Sequence, residues 1–211
     1  MSKKDSRITN LIEKSHSIAV ICGLSGESTV PVGIAIASYI EDVYGRKSDI
    51  YYSGDFSIVN SELFSQADIK SKFMQKSLKI SIDFSNTDIK TVDYYKDGDS
   101  KLVLEVSPIV DKFENDRVSF DVVGAHYDLI IAIGLSELSD LGDFYSKNEV
   151  VFEKAEIINI DNSPKNKNYG SLNIVDFSAS SISLLIFSKF LEWGYIPSKK
   201  ASKSLLVGLS N

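Results

Sequence analysis

The chain has 211 residues, 43% of them hydrophobic and 25% charged, and a formal net charge of -6. That length suits one domain with a sizeable core, and the acidic balance excludes a broad basic face for duplex nucleic acid while leaving room for a local pocket for a short oligonucleotide. The one cysteine, Cys22, excludes an internal disulfide; with a charged start, Met1-Ser2-Lys3-Lys4-Asp5, and apolar runs too short to cross a bilayer, a cytoplasmic protein is expected, with no role for a membrane.

Ile8, Leu11 and Ile12 follow helical spacing, which predicts a short helix over 5–14. The run 17–22 is apolar and ends at Gly23, as a buried strand does. After the loop Leu24-Ser25-Gly26-Glu27-Ser28-Thr29, apolar residues from Val32 to Val43 predict a helix closed near Gly45, with Ser28 or Thr29 as its N-cap and Pro31 in its first turn. A second strand starts at Ile50, and strand–loop–helix–strand is the pattern of a parallel sheet. Residues 77–106 then alternate with period two around the turn Lys96-Asp97-Gly98-Asp99, which predicts a small antiparallel hairpin or meander with one solvated face. Asp111 to Asp121 reads as an exposed link with a short strand near Val118-Phe120. Buried strands return at 127–133 and 155–160, with a helix between them running to about Lys147. A long helix capped by Ser178 is expected to end at Gly194, and a last one to run from Ser198 to about Val207. The expected fold class is α/β: a mostly parallel, doubly wound sheet with an inserted antiparallel β-hairpin or meander at about 77–123, in a single domain over 1–211.

The most specific stretch is Asn159-Ile160-Asp161-Asn162-Ser163, followed by Pro164, Asn166, Asn168, Tyr169-Gly170, Asn173 and Asp176. With strand 17–22 and its loop, and with strand 127–133 and the residues Ser136 to Tyr145, it resembles in order the motif regions of the DHH (RecJ-like) phosphoesterase family. Three regions outside the β insertion carry the likeness. The resemblance implies metal-dependent phosphoester chemistry, commonly with two manganese ions held by Asp and His at strand C-termini and lowering the pKa of an attacking water. Residue by residue, this chain departs from that set. Ser25-Gly26-Glu27 stands where the family has two aspartates flanking a glycine, so one acid is lost and the other is a Glu. Gly134 stands where an Asp is expected. Asp161 survives, but Asn162 and Ser163 replace the two histidines. The family's fourth motif and its second, substrate-gripping domain are absent from these 211 residues.

On that basis Asp161 and Glu27 are the candidates for a residual cation site, and no catalytic residue or metal ligand is assigned. Too few anionic groups remain to balance two dications. Ser25, Gly26, Ser28, Thr29, Asn162, Ser163, Asn168 and Gly170 are the candidate phosphate- or nucleotide-binding residues, because a loop before a helix offers N–H groups to an anion. Each has a plainer reading. A carboxylate at a strand end also accepts backbone N–H bonds or caps the helix near Ala179. Asn166 and Asn168 suit turns. His16 and His126 precede strands, at the end of a parallel sheet away from ligands, and Cys22 reads as a buried, inert thiol. Tyr51-Tyr52 and Tyr94-Tyr95 could stack bases or pack.

Three functions remain open: a catalytically degenerate DHH-type domain serving as a nucleotide-binding or regulatory module, with no cofactor; a weak Mn²⁺- or Mg²⁺-dependent phosphoesterase acting on short oligonucleotides or cyclic dinucleotides; and a structural protein that forms a homo-oligomer or docks a protein partner through the β insertion.

Overall fold

The computed structural model describes residues 6–59, 67–74, 77–85, 89–107 and 115–209. The leader 1–5 and the part of the charged link at 111–114 lie outside them. The chain divides into two compact units, one of residues 1–74 and 125–211, the other of residues 75–124.

The first unit is built on a six-stranded sheet. Its strands are β1 (Ile18–Cys22), β2 (Asp49–Tyr52), β3 (Ile69–Lys70), β8 (Leu129–Ile133), β9 (Glu156–Asp161) and β10 (Leu172–Val175). They run in the order β10-β9-β8-β1-β2-β3, every neighbouring pair parallel. Strands β1 and β8 are buried at every position, as continuous Val/Ile runs must be when both faces are covered. One face, including Val20, Ile131, Ile158 and Ile174, packs on α1 (Ser6–Lys14), α2 (Gly26–Tyr44), α5 (Ile182–Glu192) and α6 (Lys199–Leu209). The other, including Ile21, Ile130 and Ile157, packs on Phe73 and on α3 (Asp143–Ser146) and α4 (Glu149–Lys154). The parallel α/β class and its doubly wound layering agree with the sequence pattern.

Several boundaries differ from expectation for identifiable reasons. Helix α2 starts at Gly26, two residues before the expected caps. Ser28 and Thr29 therefore lie in its first turn, and their hydroxyls donate back to the Ser25 carbonyl. Helix α5 is capped by Ser181, whose Oγ accepts from the Leu184 N–H at 3.2 Å, while Ser178 is held by Asp176 in the loop before it. The single helix expected up to Lys147 is instead a short 3-10 turn, Leu138–Leu141, then α3 and α4; Gly142 at positive φ separates turn from helix.

The second unit contains the hairpin β5 (Thr91–Asp97) and β6 (Lys101–Ser107), turning at Gly98. It also contains a second antiparallel pair, β4 (Ser77–Ile82) with β7 (Val118–Val123). The strand seen near Val118-Phe120 thus pairs with the first strand of the insertion, in a register that sets Ile80 beside Phe120 and Ile82 beside Val118.

Candidate functional site

The C-terminal ends of β1, β8 and β9 lie side by side, with β8 in the middle. The ladder runs one residue past the strands: Gly23 N–H bonds the Ile133 carbonyl at 2.8 Å, and Gly134 N–H bonds the Ile160 carbonyl at 2.8 Å. Every loop singled out by sequence therefore opens at one end of the sheet. The backbones of β1 and β9 stand two strand spacings apart, about 10 Å.

Asp161 is the last residue of β9 and is 3% exposed. Its Oδ1 accepts the Asn162 N–H at 2.8 Å and its Oδ2 accepts the Asn166 side-chain amide at 2.7 Å. The same Asn166 amide reaches the Leu135 carbonyl at 2.9 Å. Its side-chain oxygen accepts from Asn159 at 2.7 Å and from the Asn168 N–H at 2.8 Å. Asn159, fully buried in mid-strand, also donates to Asn173 at 2.9 Å. Asn173 in turn takes the Gly170 N–H at 3.0 Å and donates to the Gly170 carbonyl at 2.8 Å. Three asparagine side chains thus bind the 162–171 loop to β9, β10 and the Leu135 backbone. A buried carboxylate needs such donors, and here it has them from its own loop. Asn168 sits at φ 49, a left-handed conformation Asn accepts readily. Asn166 is the hub of the network and also forms a turn, since its side-chain oxygen takes the N–H two residues on. Sequence reading missed Asn159; the available signal was one amide inside the apolar run Ile157-Ile158-Asn159-Ile160.

Asn162 and Ser163, which stand where the resemblance places two histidines, are also engaged. Asn162 donates to the Ala179 carbonyl at 3.1 Å, tying the loop to the turn before α5. Ser163 Oγ lies 3.2 Å from Ser136 Oγ and accepts the Lys165 N–H at 3.2 Å. The acidic residues nearby are likewise placed. Glu137 takes Lys167 Nζ at 2.8 Å, and that bond, with a smaller one from Ser139, holds its carboxyl below the usual range. Asp140 accepts the Ser136 and Glu137 N–H groups in a capping box. Asp176 accepts from the hydroxyl and N–H of Ser178, which lower its pKa. Tyr169 is pushed upward by burial and by the charges of Asp161 and Asp140, and its hydroxyl points to the Leu135 carbonyl at 3.3 Å.

On the β1 side, Ser25 precedes α2 without a side-chain cap bond. The Thr29 hydroxyl donates to the Gly23 carbonyl at 2.7 Å. Gly26 packs on the Tyr52 phenol; a Cβ there would fall 2.5 Å from the ring and its oxygen. Tyr52 OH donates to the Leu24 and Asp55 carbonyls at 3.1 and 3.2 Å, so this tyrosine braces the loop from below. Glu27 is exposed on the first turn of α2.

Between the two flanks lies Gly134, at φ 65. A Cβ there would stand 2.6 Å from Thr29 Cγ2 and 3.1 Å from Ile182 Cδ1. The position that the family resemblance assigns to an aspartate is filled by neighbours, and its backbone conformation favours glycine. Among the described residues no three of His, Cys, Asp and Glu are grouped to hold a metal ion. The carboxylates at this end of the sheet, Asp161, Glu137, Asp140 and Asp176, are each engaged by neighbouring donors and are not grouped; with amides, hydroxyls and the exposed Glu27 they do not fit a pair of divalent cations.

Apart from Tyr94 and Tyr95, which do not pack, the remaining candidates lie where the plainer readings put them. His16 and His126 flank Asp128 at the opposite end of the sheet. The Cys22 thiol is fully buried, and burial pushes it up to about 12, so it is not a thiolate near neutrality. Tyr51 and Tyr52 are buried packing residues, whereas Tyr94 and Tyr95 are exposed on β5. No described helix is long and apolar enough to cross a membrane.

Neither a protein-family model nor a curated protein matches the sequence. Among solved structures, the fold is similar to that of an exopolyphosphatase-related protein from Bacteroides fragilis, with a TM-score of 0.57 at 12% identity. The likeness covers 97% of this chain and 48% of that one, so the chain spans about half the length of its neighbour. What the two share is the fold.

Proposed function

We propose that this chain is a catalytically degenerate phosphoesterase-like domain of the DHH type, retained as a nucleotide-binding or regulatory module. One observation carries the reading: the centre of the site is closed at Gly134, and beside it the surviving acid Asp161 is consumed by its own loop. Two-metal phosphoester cleavage needs carboxylates and imidazoles converging on bridged cations, and this set has been exchanged for amides and hydroxyls. The fold shared with an exopolyphosphatase-related protein supports the ancestry of the scaffold. The N-terminus of the 19-residue α2, with Ser25 before it, supports an anion at the β1 side.

The test is a hydrolysis screen with manganese on short RNA, linear dinucleotides and cyclic dinucleotides, run beside metal-free calorimetry with the same ligands. The expected outcome is no turnover at high protein concentration and saturable metal-free binding to one of them, weakened about tenfold by Ser25→Asp, which sets a competing charge at the helix terminus. Turnover that manganese supports and Asp161→Ala abolishes would replace this reading with the weak phosphoesterase, with Glu27 and Asp161 holding one cation.

A second reading rests on the insertion. Val92, Tyr94, Leu102 and Leu104 share one face of the β5–β6 hairpin and are all exposed. Apolar residues massed on one sheet face suit a protein partner. Prolines placed in the hairpin strands would remove an association made there.

A further inference from the structure

The unit of residues 75–124 differs from the rest of the chain: none of its described residues is buried. Its two ladders still carry the alternation of half-buried sheets. In β5–β6 the cross-strand pairs Val92–Val106, Tyr94–Leu104 and Lys96–Leu102 share one face. In β4–β7 the pairs Leu78–Val122, Ile80–Phe120 and Ile82–Val118 do the same. The opposite faces, Tyr95 and Val103 excepted, are polar: Lys79 lies across from Asp121, Ser81 from Ser119 and Asp93 from Glu105. Two carboxylates directly opposite repel one another and belong in water. The apolar faces are nonetheless open, with Leu78 62% exposed, Phe120 67%, Val92 62%, Tyr94 76% and Leu102 63%. Both lie in one unit, yet they do not cover each other. A two-stranded ribbon is marginal in water unless something packs on its apolar face.

On the reading of the insertion as an association surface, we propose that its partner is the insertion of a second copy of this chain, with the apolar face of β5–β6 in each copy stacked on the apolar face of β4–β7 in the other. The chain itself supplies both halves of the match, three cross-strand pairs on each uncovered face. A twofold axis between the two ladders, lying in the plane of the contact, runs the ribbons in opposite directions. Tyr94–Leu104 then lies over Ile80–Phe120 of the second copy, Val92–Val106 over its Ile82–Val118 and Lys96–Leu102 over its Leu78–Val122. Lys96 is the one charge on either face. It sits near the hairpin tip, where its ammonium reaches solvent at the rim; tip-to-tip stacking would instead bring two copies of Lys96 together. The product is a two-layer sandwich, apolar inside and charged outside. The exposed parts of Leu78, Val92, Tyr94, Leu102, Leu104 and Phe120 come to about 700 Å² per copy, so the pair buries about 1,400 Å², the size of a standard stable interface.

The test uses the full chain. Sedimentation equilibrium is expected to show a monomer–dimer equilibrium. Tyr94→Asp and Phe120→Asp each set a carboxylate in the contact, and each is expected to raise the dissociation constant about a hundredfold. Lys79→Gln, on the outer face of β4, is expected to leave it unchanged. All three positions are exposed, so the six-stranded sheet is untouched by them. Amide hydrogen exchange on the unaltered chain gives a second readout: exchange in 77–82, 91–107 and 118–123 is expected to slow as concentration rises. A chain that stays monomeric at millimolar concentration overturns the proposal. If the insertion of that monomer exchanges rapidly, the docking reading stands with a different partner; if its strands are protected, both fall. A dimer that both variants leave intact, or that Tyr94→Asp alone dissociates, also overturns the stacking.

Discussion

The two flanks of the candidate site are built in opposite ways. On the β9 side, buried polar groups satisfy one another: Asp161, Asn159, Asn166 and Asn173 bind loop to strand with hardly a group left over. On the β1 side, small residues and a glycine let α2 start close against Tyr52, and Glu27 stands exposed. The first flank is a polar core; the second is a surface. Networks of the first kind are costly to break because each partner left behind is buried and unpaired, whereas exposed groups are lost cheaply. The contrast teaches that an acid in a site-like position is informative only once its hydrogen bonds are accounted for. Asp161 fits the metal reading by sequence position and the structural reading by its partners.

The largest effect is expected where the flanks meet. Gly134→Asp restores the carboxylate that the family resemblance assigns there, yet it should lower stability by about 3 kcal/mol, from left-handed strain and from contact with Thr29 and Ile182. Urea unfolding measures the loss, and manganese calorimetry on the same variant should show no gain in binding; a stable variant that binds manganese would undo the claim that the centre is closed. Next comes the comparison itself. Asp161→Ala strands the Asn162 N–H, takes one of its acceptors from the Asn166 amide, and is expected to cost about 2–3 kcal/mol, while Glu27→Ala should stay within about 0.5 kcal/mol. Equal losses from the two variants would erase the distinction between core and surface. The smallest effect concerns pH. The Glu137 carboxyl lies below its ordinary 4.5, mainly through Lys167. Its contribution is therefore complete above about 4.5 and is lost as pH falls through the folded-state value. Lys167→Met should flatten the acid limb of a pH–stability profile in that window and lower the neutral-pH plateau by the same small amount.

Much of the framework was legible in the chain itself. Ile18–Cys22, Leu129–Ile133 and Glu156–Asp161 are short apolar runs bounded by polar or glycine residues, and such runs fold as buried parallel strands with ligands, if any, at their C-terminal ends. The placement of Asp161 at a strand end and of both histidines at the far end followed from that pattern alone. Caps were less legible: Ser178 is held by Asp176 in the loop, and Ser181 caps α5. The asparagine network was only partly legible: Asn159 stood out inside an apolar run, but nothing along the chain paired it with Asn166 and Asn173.

Local periodicity is a property of neighbours along the chain, so the sequence by itself determined the parallel α/β scaffold, the hairpin at Gly98 and the amide and hydroxyl residues that follow Asp161. The closure at Gly134 and the capture of Asp161 by Asn166 were decided only by the tertiary structure. They depend on Thr29, Ile182 and Leu135 arriving at the same few ångströms from distant segments, and van der Waals volume and hydrogen-bond geometry there act between atoms that the chain order does not bring together.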